Sequence, residues 1–121
     1  MFSRRCGRDI LLLAVMAVVL RPGFAEAISG EEWRMLSSPS RITYVLGIVD
    51  AWTGLLIVQE SLGTHDRAVT AFYDVVACVR DRAMAASRMT EIVEKYVSDN
   101  PGLIGKDMPD IIFAALSQNC R

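Results

Sequence analysis

Residues 78–120 read CVRDRAMAASRMTEIVEKYVSDNPGLIGKDMPDIIFAALSQNC, and this stretch decides the fold. Apolar residues recur in it at helical spacing on both sides of Asn100-Pro101-Gly102, a sequence that ends a helix. One cysteine stands at each end. The stretch therefore predicts two helices joined by a short turn, with Cys78 and Cys120 at its outer ends.

Both helices show a one-sided apolar pattern. Glu91 and Lys95 lie on the polar side of the first, at the spacing of an ion pair. Asp107 is placed to cap the second, whose first turn tolerates Pro109. The residues predicted to be buried are Met89, Ile92, Val93, Tyr96 and Val97 in the first helix, and Met108, Ile111, Ile112, Ala115 and Leu116 in the second.

The N-terminus has the features of a secretory signal. Arg4, Arg5 and Arg8 precede an apolar run from Ile10 to Leu20, and Ala25-Glu26-Ala27 offers small side chains for cleavage. We expect residues 1–27 to be removed, which leaves residues 28–121 as one small domain. Nine basic and twelve acidic residues in that domain give a net charge of −3. This charge disfavours nucleic acid and anionic lipid as partners, and no membrane attachment is expected after cleavage.

Removal of the signal would leave Cys78 and Cys120 as the only cysteines. In an oxidising compartment such a pair forms a disulfide by default, and we predict that bond here. Two free thiols or a two-cysteine metal site is the alternative, but a metal needs more ligands and His65 is the only histidine. We therefore expect neither metal nor cofactor.

Upstream, Ser29-Gly30-Glu31-Glu32 has the form of a capping box before a short helix, and Ser40 is placed to cap the next one.

Residues 41–62 are apolar on most sides, which predicts either the central helix of a bundle or a membrane span, and Asp50 favours the central helix. Residues 71–79 fit a helix or an extended segment. The expected fold is all-α, a compact bundle of four to five helices stapled by one disulfide.

Small residues recur near one face of the long apolar segment. Gly47, Ala51 and Gly54 would allow a neighbouring helix to approach closely, or would relieve crowding in a small core. Each glycine costs nearly 1 kcal/mol of helix propensity relative to alanine.

Catalysis is not expected. His65 and Asp66 are adjacent loop residues, which rarely orient one another as a dyad, and the sequence has no nucleophile-elbow motif or phosphate loop. Arg80, Arg82 and Arg88 gather close together and predict a solvated patch, or a contact with an acidic partner. The sequence thus favours binding over chemistry.

Several short motifs occur in a fixed order along the chain. They are residues 44–51, YVLGIVDA, then Cys78, Arg88-Met89, Ile92-Val93, Tyr96-Val97, Asn100-Pro101, Ile111-Ile112, Ala114-Ala115-Leu116 and Cys120. Their order and spacing resemble the Rap/Tai-type immunity domain family. Residues 44–51 are similar to the family's Tyr-Ile-x-Gly-x-x-Asp-Ala segment, although Arg88 stands where the family usually has Gln.

The resemblance implies a helical periplasmic protein, often a homodimer, that protects a cell by occluding a cell-wall amidase delivered through type VI secretion. We predict that the segment inserted into the amidase cleft is the polar loop of Gly63, Thr64, His65, Asp66 and Arg67. The alternative is that this loop is an ordinary surface connection. Two other functions compete with this interpretation: a periplasmic holdase-type chaperone, and a structural envelope protein of the same fold.

Overall fold

A computed structural model describes residues 26–121, so the predicted signal segment, apart from Glu26 and Ala27, lies outside the described residues. That part of the chain contains five α-helices of five residues or more and one four-residue helix. It holds no β-strand, only an isolated bridge between Ser29 and Asp107. The helices are α1 Gly30–Arg34, α2 Ser38–Ser61, α3 Arg67–Thr70, α4 Tyr73–Asp81, α5 Ala86–Asp99 and α6 Met108–Asn119, with a 3₁₀ turn at Pro101–Leu103. The all-α prediction is confirmed.

The capping box at the start of α1 is present as predicted. The Ser29 amide donates to Glu32 Oε2 at 2.7 Å, and the Glu32 amide donates to Ser29 Oγ at 3.3 Å. The same segment is fastened to the loop before α6, because the Gly30 amide donates to the Lys106 carbonyl at 3.0 Å. A Cβ on Gly30 would lie 2.8 Å from the Ile104 carbonyl oxygen, so only glycine fits this contact without a shift.

The start of α2 differs from the prediction. Ser37, not Ser40, is the N-cap, and Ser40 lies inside the first turn, where its amide donates to Ser37 Oγ at 3.4 Å. Pro39 occupies the first turn of the helix. A proline is tolerated there because the first amides of a helix have no intrahelical partner, so the helix begins before Pro39 rather than after it.

The core lies between one side of α2 and the other helices, chiefly α5. Trp52 of α2 stacks on Phe72 with ring centroids 5.0 Å apart, and Phe113 of α6 meets both rings edge-on. The buried apolar residues are Trp33, Val45, Val49, Trp52, Val75, Val76, Val79, Met89, Val93, Val97, Met108, Ile111, Ile112, Ala115 and Leu116.

The segment that the sequence left ambiguous is helical. Phe72 stands at the N-cap position of α4 without a side-chain capping hydrogen bond, and Val75, Val76 and Val79 occupy the buried side of the helix. The packing of these three valines against the core decides in favour of a helix, since the β-branched content alone also suits an extended chain.

The two helices of the opening stretch carry their predicted apolar faces inward. All five predicted residues of α6 are buried, as are Met89, Val93 and Val97 of α5, while Ile92 and Tyr96 are half-buried. The ion pairs differ from the prediction, because Glu91 pairs with Arg88 and Lys95 with Asp99. Asp107 stands at the N-cap of α6, but its side chain makes no capping hydrogen bond.

Helix α2 is not buried nearly all round, and that expectation is wrong. Only Val45, Val49 and Trp52 are buried, and nothing in the described chain lies within 4 Å of a Cβ built on Gly47 or Gly54. The glycines therefore face outward and relieve no crowding in the core. Helix α2 has 24 residues, and an 18-residue window within it has a mean hydropathy of 1.5 and is 17% buried. By length and composition alone, the helix could cross a membrane.

Candidate partner-binding surface

The predicted disulfide is present. Cys78 in α4 is bonded to Cys120, the residue that follows α6, across a sequence separation of 42 residues. Their Cα atoms are 6.0 Å apart. The bond holds the C-terminal end of α6 against α4. Because both sulfurs are oxidised, neither serves as a nucleophile or a metal ligand in this state.

The loop Gly63–Arg67 joins α2 to α3 and is exposed along its whole length. Gly63 ends the α2 turn with a φ of +62°, a left-handed conformation that glycine adopts at no steric cost. The Gln59 side chain then crosses the loop: its Oε1 accepts from the Asp66 amide at 2.7 Å, and its Nε2 donates to Thr70 Oγ1 at 3.3 Å. The Gln59 carbonyl also accepts from the Thr64 amide at 3.1 Å, so Gln59 holds the loop at Thr64 and at Asp66.

Asp66 has a structural role within this loop. Its Oδ1 accepts from the amides of Ala68 at 2.8 Å and Val69 at 3.2 Å, so it caps α3. The carboxylate is engaged with backbone amides rather than set to orient His65. What the loop offers to a partner is the exposed His65 imidazole and the Arg67 guanidinium on an ordered backbone.

A second surface adjoins the loop, and sequence reasoning missed it. The outward side of α2 exposes large apolar residues around its glycines, and it continues into Leu62, which is 70% exposed. The recurrence of Gly47, Ala51 and Gly54 is its signal in the sequence, where these residues predicted either a close approach of a neighbouring helix or relief of crowding in the core. The large residues of this surface are Leu46, Leu55, Ile57, Val58 and Leu62.

An open groove of about 830 Å³ lies between α4, α5 and α6 near the disulfide. Phe113 and Tyr96 form part of its apolar wall, while Asp74 and Arg121 line it with opposite charges. Ser117 Oγ is buried in the groove wall without a hydrogen-bond partner in the described chain.

The three arginines that the sequence predicts to form a solvated patch, Arg80, Arg82 and Arg88, are all exposed. Arg80 pairs with Asp81 at 3.5 Å, and Arg88 with Glu91 at 3.0 Å. The Arg82 guanidinium donates to the carbonyl of Asn119 at 3.1 Å and so helps to hold the end of α6. Each arginine thus has a local partner, and the contact with an acidic protein stays a prediction.

Two shifted pKa values belong to the scaffold. Hydrogen bonds from the Ser29 amide and hydroxyl lower the pKa of Glu32 below its ordinary 4.5. Burial raises the pKa of Tyr44 above 10.0, and the charge of Asp107 adds to the effect. Both shifts arise from packing and capping, so neither points to an acid or base at work.

No group of three or more His, Cys, Asp or Glu side chains within residues 26–121 is placed to hold a metal ion. Comparison with protein-family models, curated proteins and solved structures found no match for this chain. The two candidate surfaces for binding a partner are the exposed loop Gly63–Arg67 and the apolar outward side of α2.

Proposed function

We propose that this protein is exported to the periplasm after loss of residues 1–27 and there neutralises a cell-wall amidase by blocking its active-site cleft, as an immunity protein does. The observation that carries the proposal is the loop Gly63–Arg67, which is exposed at every residue and yet is held by hydrogen bonds from the Gln59 side chain. A loop of this kind suits insertion into a concave site.

Order in the free loop matters for affinity. A flexible loop loses conformational entropy when a partner immobilises it, whereas a loop already held in its bound shape loses less. The hydrogen bonds from Gln59 and the cap by Asp66 supply that order before binding. His65 and Arg67 then offer hydrogen-bond donors to the carbonyl and carboxylate groups of a cleft.

The buried part of the protein is consistent with a role in maintaining the fold, while the loop contacts the partner. Most of the residues behind the resemblance to Rap/Tai-type immunity domains are buried or half-buried, and its two cysteines form the disulfide. Residues of that kind maintain a fold and leave recognition to the surface. The resemblance supports the immunity role through the fold, and the loop supports it through the surface.

The test titrates the purified exported protein against an amidase encoded beside it, with hydrolysis of peptidoglycan fragments as the readout. Inhibition should be complete at one molecule per enzyme. Arg67→Glu should weaken inhibition at least tenfold, and Lys106→Glu, a charge reversal at another exposed residue in the loop before α6, should leave it unchanged. Full inhibition by both variants would refute the role of the loop, and no inhibition by the wild type would refute the immunity function for that enzyme.

A second variant distinguishes the effect of loop order on affinity from the effect of direct contacts by loop side chains. Gln59→Ala removes both side-chain hydrogen bonds to the loop region without changing the loop's own sequence. It should weaken inhibition mainly by slowing association or raising the ordering cost, while the melting temperature of the bundle stays close to that of the wild type. Unchanged inhibition would show that the tether does not matter for binding.

A holdase-type chaperone is the second candidate, and the exposed apolar side of α2 favours it. Such a protein suppresses aggregation of unrelated unfolded clients and exposes more apolar surface on acidification. Dye binding that stays constant between neutral and low pH, together with no suppression of client aggregation, would eliminate it. If both activities are absent, a structural envelope role remains as the third candidate.

A further inference from the structure

We propose that the cavity between α1, α2 and α5 binds the carboxylate of a small organic anion, held by the indole of Trp33 and the guanidinium of Arg41. The proposal does not depend on the amidase. Arg41 lies in the first turn of α2 and the loop Gly63–Arg67 follows the last, so roughly 30 Å of helix separates this site from the loop.

The cavity has a volume of about 230 Å³, and its walls come from the end of α1, the first turn of α2 and the C-terminal half of α5. Pockets for drug-sized ligands are larger, at about 300–1,000 Å³, so this one suits a ligand of few atoms. Three ionisable side chains and a buried apolar residue share its wall. The lining residues are Trp33, Arg34, Arg41, Glu94, Val97 and Ser98.

Two nitrogen atoms of these lining residues have no hydrogen-bond partner among residues 26–121. Trp33 is fully buried, and its Nε1 donates to no oxygen of that part of the chain. The Nε of Arg41 is likewise buried and unpaired there. Both groups are donors only, so the partner that satisfies them has to be an acceptor. A buried donor without a partner is costly, which favours binding of an acceptor from outside the chain.

The two donors belong to adjacent side chains. The Arg41 guanidinium lies over the Trp33 ring, with Cζ 5.6 Å from the ring centroid. Glu94 Oε1 pairs with Nη1 of Arg41 at 3.1 Å, which leaves Nε to a second acceptor. A guanidinium offers Nε–H and a neighbouring Nη–H as a fork that matches the two oxygens of one carboxylate. Those oxygens have enough lone pairs to accept from the indole as well.

Charge favours an anion over a water molecule in this cavity. Arg34 is exposed and has no carboxylate within ion-pair distance in the part of the chain that the structure describes. Two arginines against the single carboxylate of Glu94 give the lining a net charge of +1. Val97 is buried and offers an apolar surface to the carbon that bears the ligand's carboxylate. An organic acid therefore fits this cavity better than inorganic phosphate.

Entry of the ligand requires movement of exposed side chains only. Both unpaired nitrogens are shielded from bulk water, whereas the Glu94 side chain is 40% exposed and Arg34 is exposed. An ion pair at the surface adds little to stability, so Glu94 can turn towards water at small cost. The incoming carboxylate then binds the guanidinium that Glu94 partly occupies. Glu94 is thus a competitor of the ligand within the chain.

The first test follows the indole N–H signals of the isotope-labelled protein by nuclear magnetic resonance, while sodium acetate replaces sodium chloride at constant ionic strength. The chain has two tryptophans, and Trp33→Phe identifies the signal of Trp33. That signal should move in a saturable way with a dissociation constant of about 1–10 mM, within the ceiling for a ligand as small as acetate. The Trp52 signal should stay in place.

Two results of this titration would overturn the proposal: no saturable movement of the Trp33 signal, or an equal movement with acetamide, the neutral isostere of acetate. Tighter binding of inorganic phosphate than of acetate would overturn the assignment to an organic acid.

Three variants test the assigned contacts. Arg41→Lys keeps the charge but removes Nε–H, and it should weaken acetate binding about tenfold. Arg88→Lys, in an exposed arginine–glutamate pair at the other end of α5, is the matched control and should change binding less than about twofold. Glu94→Gln removes the competing charge and should tighten binding about threefold. An acetate affinity that does not fall in Arg41→Lys, or does not rise in Glu94→Gln, would overturn the proposal, and the Trp52 signal verifies that each variant is folded.

Discussion

Removing the disulfide is the perturbation whose size follows most directly from the structure. Cys78 and Cys120 close a loop across 42 residues of separation. The chain-entropy relation for a loop of this length gives about 4 kcal/mol at 25 °C, through restriction of the unfolded chain. For a domain of this size, that corresponds to a fall in melting temperature of roughly 15–30 °C.

The assay follows thermal unfolding by circular dichroism in three samples: oxidised wild type, wild type reduced with a phosphine, and the double variant Cys78→Ser and Cys120→Ser. The reduced wild type and the double variant should melt together, well below the oxidised protein. Both should still fold at low temperature, because the apolar core does not include the cysteines. The double variant avoids the free thiol that a single substitution would leave.

The reasoning fails in two recognisable ways. A fall of less than about 5 °C in the double variant would mean that the closed loop hardly restricts the unfolded chain, against the entropy relation. A large fall in the variant but none on reduction, with reduction verified by mass, would place the cost in the serine hydroxyls rather than in the lost cross-link.

Three further predictions concern the scaffold. Gly30→Ala should destabilise the protein by about 1–3 kcal/mol in urea unfolding, because a Cβ meets the Ile104 carbonyl oxygen at 2.8 Å, while Gly105→Ala, in open space, should not. Trp52→Ala should cost about 3–5 kcal/mol through loss of the stack with Phe72, and Met35→Ala, at 84% exposure, less than about 0.5 kcal/mol. The pKa of Glu32 is lower in the folded protein than its ordinary 4.5, so its charge stabilises the fold fully above pH 4.5 and the effect is lost as pH falls through the folded pKa. The stability difference between wild type and Glu32→Gln should shrink over that window, and a difference that is constant with pH would refute the capping role.

Much of the helix layout was predictable because its signals are local. The faces of α5 and α6, the stop at Asn100-Pro101-Gly102 and the Ser29–Glu32 box all depend on residues within one or two turns of each other. The start of α2 was misplaced because Ser37 and Ser40 both suit a cap, and only the position of Pro39 in the first turn separates them. Removal of residues 1–27 stays a prediction.

The candidate surfaces were less predictable. The sequence identified Gly63–Arg67 as a polar connection, but the tether from Gln59 depends on how α2 ends relative to α3. The apolar face of α2 was assigned to the core because hydrophobicity around a helix does not tell which side other helices cover. The neighbouring helices, among them α3, α4, α5 and Phe113 of α6, pack on one side of α2. No other part of residues 26–121 comes within 4 Å of a Cβ built on Gly47 or Gly54 on its other side.

The sequence by itself determined the all-α class, the two helices between the cysteines and the presence of a cysteine pair. The helices were predictable because helical periodicity and helix-terminating residues are local features of the chain. Only the tertiary structure decided that Gly30 is locked against Ile104 while Gly47 and Gly54 face outward. It also decided which partners the charged residues take. The physical reason is that packing joins segments distant in the chain, and a glycine's role depends on what the fold brings within 4 Å of it.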